Sequence, residues 1–127
     1  MQRKNNQRRI KQREIYMCDL TKDSIDSEQS GCHPVLIAAC DIRNNSSNNV
    51  VVFPLTHAIK KSQPTHYILY NSEYDFLSYD ESIVECEEVR SVSKGRLQRY
   101  LGQISKEDFE KILECEKFIF IQKRGND

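Results

Sequence analysis

Short apolar segments alternate with polar, turn-rich stretches along most of the chain. The segments with the length and β-branched content of strands lie at residues 14–20, 34–40, 50–56, 65–70 and 82–92. The second segment is apolar at nearly every position, as expected for a strand buried on both faces. The stretch 21–33 has too little apolar periodicity to form an element, and the polar run 43–49 predicts a turn. A long loop in a compact domain is commonly functional, so residues 21–33 are of interest.

The end of the chain has the pattern of a helix. Ser105 is a suitable N-cap, and Glu107 and Asp108 in the first turn favour the positive end of the helix dipole. Apolar residues then recur at helical spacing and predict a core-facing stripe of Phe109, Ile112, Leu113, Ile119 and Phe120. Short strands followed by one helix predict an α+β fold, with a small, mostly antiparallel, barrel-like sheet against which the C-terminal helix packs.

Composition narrows the class of protein. A chain of 127 residues is the size of one domain. No apolar stretch approaches the roughly 20 residues that a membrane-spanning helix needs, so no membrane contact is expected. The five cysteines are odd in number and lack CxxC spacing, which favours reduced thiols in a cytoplasmic protein over a disulfide framework or a zinc site.

The formal net charge of zero hides a basic N-terminus. Residues 1–14 contain six Lys or Arg side chains and a single acidic one, Glu14. Residues 1–13 are therefore expected to form a basic, mobile arm that could bind phosphates non-specifically or have no role. The predicted domain covers residues 14–122, and residues 123–127 form a short polar tail.

The segment 27–34 reads S-E-Q-S-G-C-H-P and leads directly into the second strand. It resembles the loop of the MazF/PemK family of toxin endoribonucleases, which reads S-E-Q-x-G-x-R-P. Further pieces fit the family in the same order, namely P-L-T at 54–56, P-T-H at 64–66 and E-E-V-R at 87–90. The resemblance covers residues from about 13 to 121.

This resemblance implies an SH3-like barrel that forms a homodimer. It also implies a sequence-specific endoribonuclease that cleaves single-stranded RNA without a metal or cofactor. The expected partners are the RNA and a cognate antitoxin of the MazE type, whose acidic tail would block the RNA site. The catalytic pair of the family is an Arg before the second strand and a Thr at the end of the third strand.

These two family positions correspond to His33 and Thr56. A hydroxyl at a strand end can donate to a phosphoryl oxygen without distorting the sheet. Arg carries a permanent charge and a planar fork of donors, whereas imidazole offers at most two donors and titrates near neutral pH. His33 could therefore act as a general acid or base, or it could mark an impaired site. His57, next to Thr56, is the second candidate for proton transfer.

Predicted RNA contacts come from two segments. In the loop, Ser27, Glu28 and Gln29 carry groups that can read the edges of unpaired bases. In the fifth strand, the family pattern Glu-Gln-x-Arg corresponds to Glu87, Glu88 and Arg90, with Glu88 in place of the amide. Residues 73–88 contain seven acidic side chains and no basic ones, a charge that would repel RNA if it lined the groove.

Two alternatives to a nuclease stay open. The changes at positions 33 and 88 would also suit a catalytically impaired member of the fold that acts only by binding antitoxin or RNA. A gyrase poison of the related CcdB type would share the fold, but the motifs match the ribonuclease branch, and the chain lacks Trp.

Overall fold

The computed structural model describes residues 9–20, 31–58 and 61–121 of the chain. The seven strands are β1 Glu14–Asp19, β2 Cys32–Ile37, β3 Asn49–Thr56, β4 His66–Tyr70, β5 Glu81–Glu85, β6 Arg90–Ser93 and β7 Leu97–Gln103. The two α-helices are α1 Asp41–Ser46 and α2 Lys106–Glu116. Short 3-10 helices occupy Cys86–Glu88, Lys94–Arg96 and Lys117–Ile119. None of the helices in these residues is long and apolar enough to cross a membrane.

All strand pairs are antiparallel, and the sheet has the order β4-β5-β3-β2-β1-β7, with β6 paired to β3. The α+β class with a C-terminal helix is confirmed, but the sheet is open rather than closed into a barrel. Within the described residues its ends, β4 and β7, are not paired with each other.

The central strand β3 changes partners along its length. Its first half, Asn49 to Val52, pairs with β6, and its last two residues, Leu55 and Thr56, pair with β5. Pro54 lies between these two halves, where β3 passes from β6 to β5. Proline has no backbone N–H, and neither β5 nor β6 is paired with this residue, so no ladder hydrogen bond is lost there. The proline therefore marks the point where the sheet switches from one neighbour to the next.

Two sequence predictions of local structure are wrong. The predicted strand 82–92 is divided into β5 and β6 by the 3-10 turn Cys86–Glu88, because each half pairs with a different part of β3. The predicted turn 43–49 is largely helix α1, whose buried Asn44 donates from its side-chain amide to the Ala39 carbonyl at 2.9 Å. That hydrogen bond stabilises a helix in a sequence that otherwise favours turns.

The central strands β2 and β3 are buried on both faces over most of their length. Alternate residues contribute to two separate apolar clusters, with Leu36 and Phe53 in one cluster and Val35, Ile37 and Val52 in the other. The prediction that the second strand is buried on both sides is confirmed. This double burial fixes the strand register, because a slip of one residue would exchange the two sets of side chains.

Helix α2 begins where the sequence predicts. The Ser105 hydroxyl accepts a hydrogen bond from the Asp108 N–H at 3.1 Å, and Phe109 and Ile112 are buried against the sheet. The predicted stripe does not extend to Phe120, which is 75% exposed, because the α-helix ends at Glu116.

Residues 9–13, the described part of the predicted arm, contact the domain. Ile10 is buried among the second apolar cluster, and the Gln12 N–H donates to the Asp41 carboxylate at 2.7 Å. Arg13 has a φ of 76°, a conformation that favours glycine, and its guanidinium donates to the Ile104 carbonyl. The domain boundary at residue 13 stays a prediction.

Candidate active site

A pocket of about 260 Å³ opens where β1, β2, β3, β5 and β7 meet the loop before β5. Apolar side chains and the ring of Pro34 form part of its wall, and a set of polar side chains forms the rest. The lining residues are Met17, Cys32, His33, Pro34, Leu55, Thr56, His57, Leu77, Ser78, Tyr79, Ser82, Arg99 and Leu101. None of these residues is acidic, although the chain as a whole carries as many acidic as basic side chains.

His33 lies on β2, where it is the antiparallel partner of Cys18 on β1. Its side chain is half-buried and lines the pocket next to Pro34. Pairing of β2 with β1 fixes the backbone of His33, so its imidazole projects from a strand rather than from the preceding loop. A group on a rigid element is held more accurately than one on a loop.

Thr56 is the last residue of β3 and lines the same pocket. Its hydroxyl oxygen accepts a hydrogen bond from the Ala58 N–H at 3.3 Å. In the described part of the chain this is the only hydrogen bond of that hydroxyl, and an oxygen that accepts one bond still carries a proton to donate. The structure thus brings together the two residues that the sequence predicts to be catalytic.

His57 and Tyr79 form a stacked pair at the pocket. Their ring centroids are 3.7 Å apart and the ring planes differ by 7°. Both residues are exposed, with Tyr79 at 51%. An exposed stack of flat rings at a polar pocket is the kind of surface on which an unpaired base can stack.

The loop that carries Tyr79 is held at both ends. The Asn71 N–H donates to the Asp80 carbonyl at 3.0 Å, and the Asn71 side chain donates to the Leu77 carbonyl. The Tyr74 hydroxyl donates to the Asp108 carboxylate on α2.

Burial acts to raise the pKa of Asp108, but hydrogen bonds with tyrosine hydroxyls and the Ser105 cap outweigh it and hold that pKa below its ordinary value.

Comparison with known proteins places the chain in a family. The model of the PemK-like, MazF-like toxin of type II toxin–antitoxin systems matches residues 11–120. The chain belongs to this toxin family. Endoribonuclease EndoA of Bacillus subtilis (strain 168) is 31% identical over 107 residues, which are 84% of this chain and 90% of that protein.

Solved structures of family proteins have the same fold. MazF from Deinococcus radiodurans superimposes with a TM-score of 0.72 at 16% identity, covering 88% of this chain and 96% of its own. A mycobacterial endoribonuclease in complex with its cognate antitoxin gives a TM-score of 0.69 at 24% identity, covering 87% of this chain and 93% of its own. At this level of identity the two structures support the architecture alone.

The predicted RNA contacts on the fifth segment do not line the pocket. The Glu87 carboxylate accepts from the Thr65 hydroxyl at 2.8 Å and bonds the His66 ring at 2.9 Å. Burial acts to raise the pKa of Glu87, but these two hydrogen bonds outweigh it and lower the pKa. Glu88 is exposed and Arg90 is half-buried. Their role in RNA binding stays a prediction.

The loop residues Ser27, Glu28 and Gln29 lie outside the described residues. Their contact with RNA bases stays a prediction.

One group of side chains in the described residues has the spacing of metal ligands. Ligand atoms of His66, Glu85 and Glu87 lie within 4.8 Å of one another. Hydrogen bonding accounts for the approach of His66 to Glu87, and Glu85 is the antiparallel partner of His66. Burial and then the nearby Glu87 and Glu88 raise the pKa of Glu85 to about 7. We assign no metal site to this group.

The sequence did not identify Arg99 and Tyr79 as site residues. Arg99 comes from β7, a strand that the apolar pattern does not predict, and Tyr79 comes from an acidic loop. No local motif relates either residue to the loop 27–34. Their participation depends on pairing between distant segments, which a single sequence does not give.

Proposed function

We propose that this toxin is a sequence-specific endoribonuclease that cleaves single-stranded RNA in the pocket lined by His33 and Thr56. The observation that supports the proposal most directly is their position in one pocket, together with His57 and Arg99. The imidazole, hydroxyl and guanidinium groups of these side chains can act as base, acid and donors to the phosphate. We therefore propose that the reaction requires no metal or cofactor.

The reaction in this proposal is an intramolecular transesterification of the phosphodiester. The 2′-oxygen attacks phosphorus as its proton passes to an imidazole, and the bond from phosphorus to the 5′-oxygen breaks. A second group returns a proton to the 5′-oxygen, leaving a 2′,3′-cyclic phosphate and a 5′-hydroxyl. His33 and His57 are the two lining residues suited to these proton transfers.

Thr56 has a different role in this mechanism. Its hydroxyl donates to a non-bridging phosphoryl oxygen, on which negative charge grows in the transition state. A donor that is already in place costs no reorganisation during the reaction, and loss of one such donor typically lowers the rate by ~10²–10³-fold. The strand end of β3 supplies this fixed position.

Digestion of a long unstructured RNA by purified protein in EDTA tests the proposal. We expect discrete fragments that end in a cyclic phosphate, and we expect Thr56→Ala and His33→Ala to abolish them. RNA that remains intact across a range of pH would contradict the activity. In that case His33→Arg distinguishes the alternative, because gain of cleavage would identify an impaired site that acts by binding.

The proposed partner is a cognate antitoxin, because a solved family structure contains one. We also propose that the active form is a homodimer and that it acts in the cytoplasm, where its five free cysteines would stay reduced. The loop residues Ser27, Glu28 and Gln29 are the proposed readers of RNA sequence, with Glu87, Glu88 and Arg90 as further proposed contacts.

A further inference from the structure

Arg99 reaches the pocket through an irregularity in the pairing of β1 with β7. Tyr16 is the partner of Tyr100 and Cys18 is the partner of Leu97, so Met17 alone lies opposite two residues of β7, Gln98 and Arg99. Such a bulge redirects side chains and is common next to active sites. Met17 and Arg99 both line the pocket.

The charge of the pocket depends on this residue. Among the lining residues in the described part of the chain, Arg99 is the only Lys or Arg, and none is Asp or Glu. Two imidazoles and several hydroxyls complete the polar wall, and none of these groups carries a permanent charge. A phosphodiester carries a full negative charge, and guanidinium binds it with a planar fork of donors.

The guanidinium of Arg99 is also uncommitted within residues 9–20, 31–58 and 61–121. No hydrogen bond or ion pair to these residues is found for it, and its side chain is exposed. Arg13 provides the contrast, because its guanidinium donates to the Ile104 carbonyl. We propose that Arg99 binds a backbone phosphate of single-stranded RNA in this pocket, a role that rests on the proposed function.

Salt-dependent binding of a non-cleavable ligand tests this role separately from cleavage. The probe is a single-stranded 2′-O-methyl oligonucleotide of mixed sequence, in which the methyl group removes the attacking hydroxyl. Each phosphate contact to a single strand contributes about −0.7 to the slope of log K against log salt concentration. Arg99→Gln should therefore reduce the magnitude of the slope by about 0.7.

Three variants make the result specific. Arg99→Lys keeps a positive charge and should keep the slope. Lys111→Gln removes an equal charge from exposed α2, outside the pocket, and should leave the slope unchanged. The double variant His33→Arg with Arg99→Gln returns a guanidinium to the pocket and should restore the slope. Thermal unfolding checks that each variant folds, which the exposure of Arg99 and Lys111 favours.

The outcomes separate this proposal from the nuclease proposal. A slope unchanged in Arg99→Gln, an equal loss in Lys111→Gln, or wild-type protein that does not bind the probe would overturn the role of Arg99. Cleavage of RNA alongside an unchanged slope would leave the nuclease proposal intact. A reduced slope alongside uncut RNA would support phosphate binding by Arg99 and contradict cleavage.

Discussion

Within the described residues, a histidine and a threonine occur together in the pocket and again near the start of β4, and their contacts differ in the two places. In the pocket, His33 and Thr56 line open space, and the Thr56 hydroxyl has a proton to donate. Near the start of β4, Thr65 and His66 both bond the carboxylate of Glu87. The same residue types thus line a pocket in one region and bond a carboxylate of the protein itself in the other.

The two regions show how a side chain available to a ligand is distinguished from a structural one. A polar side chain that already satisfies a half-buried carboxylate contributes to stability, and its removal leaves that carboxylate with one donor fewer. A polar side chain that faces a pocket contributes little to stability and is available to a ligand. Residue type alone does not distinguish the two cases.

The largest expected effect comes from a matched pair of substitutions. Thr56→Val should lower the rate of RNA cleavage by ~10²-fold or more, because it removes a donor to the phosphate, with little change in stability. Thr65→Val should lower the free energy of unfolding by roughly 1–3 kcal/mol, because it leaves Glu87 short of a donor. Its cleavage rate per folded molecule should stay at the wild-type value.

Single-turnover cleavage and urea unfolding of both variants measure these effects. A comparable loss of rate in Thr65→Val would place the Glu87 region in the active site and contradict its structural role. Loss of stability without loss of rate in Thr56→Val would contradict the catalytic role of Thr56.

A smaller effect should appear in the pH dependence of stability. Because the pKa of Glu85 is raised to about 7 in the folded protein, the unfolded carboxyl releases its proton at lower pH. The folded state therefore binds more protons between the ordinary glutamate pKa of 4.5 and about 7, and stability falls as pH rises through that window. Glu85→Gln cannot titrate, so it should remove this decline.

The control is Glu81→Gln, an exposed residue on the same strand, which should leave the decline in place. Urea unfolding at several pH values from 4 to 8 measures the difference between the two variants. Equal behaviour of the two variants would contradict a raised pKa of Glu85 in the folded protein.

The sequence predicts the fold well where local patterns decide it. Alternating and continuous apolar runs locate most strands, and Ser105 locates the start of α2. The sequence fails at Cys86–Glu88, where one apparent strand turns because its two halves pair with different parts of β3. That event depends on tertiary pairing, which local pattern does not contain.

The site is predictable to a similar extent. His33 and Thr56 follow from motifs at a strand start and a strand end, and both line the pocket. Arg99 could not be predicted, because a shift in the pairing of β1 and β7 directs it there. The satisfied carboxylate of Glu87 could not be predicted either, because its partners come from a segment more than 20 residues away.

The three histidines of the chain allow the most direct test of the central claim, that RNA occupies the pocket and not the Glu87 region. Side-chain NMR spectra of the protein would be recorded during titration with a 2′-O-methyl oligonucleotide. The oligonucleotide carries the sequence at which the protein cleaves RNA in the digestion experiment. If RNA occupies the pocket, the His33 and His57 signals should shift with the ligand, while the His66 signal stays in place. Shifts confined to His66, or none in any of the three, would contradict it.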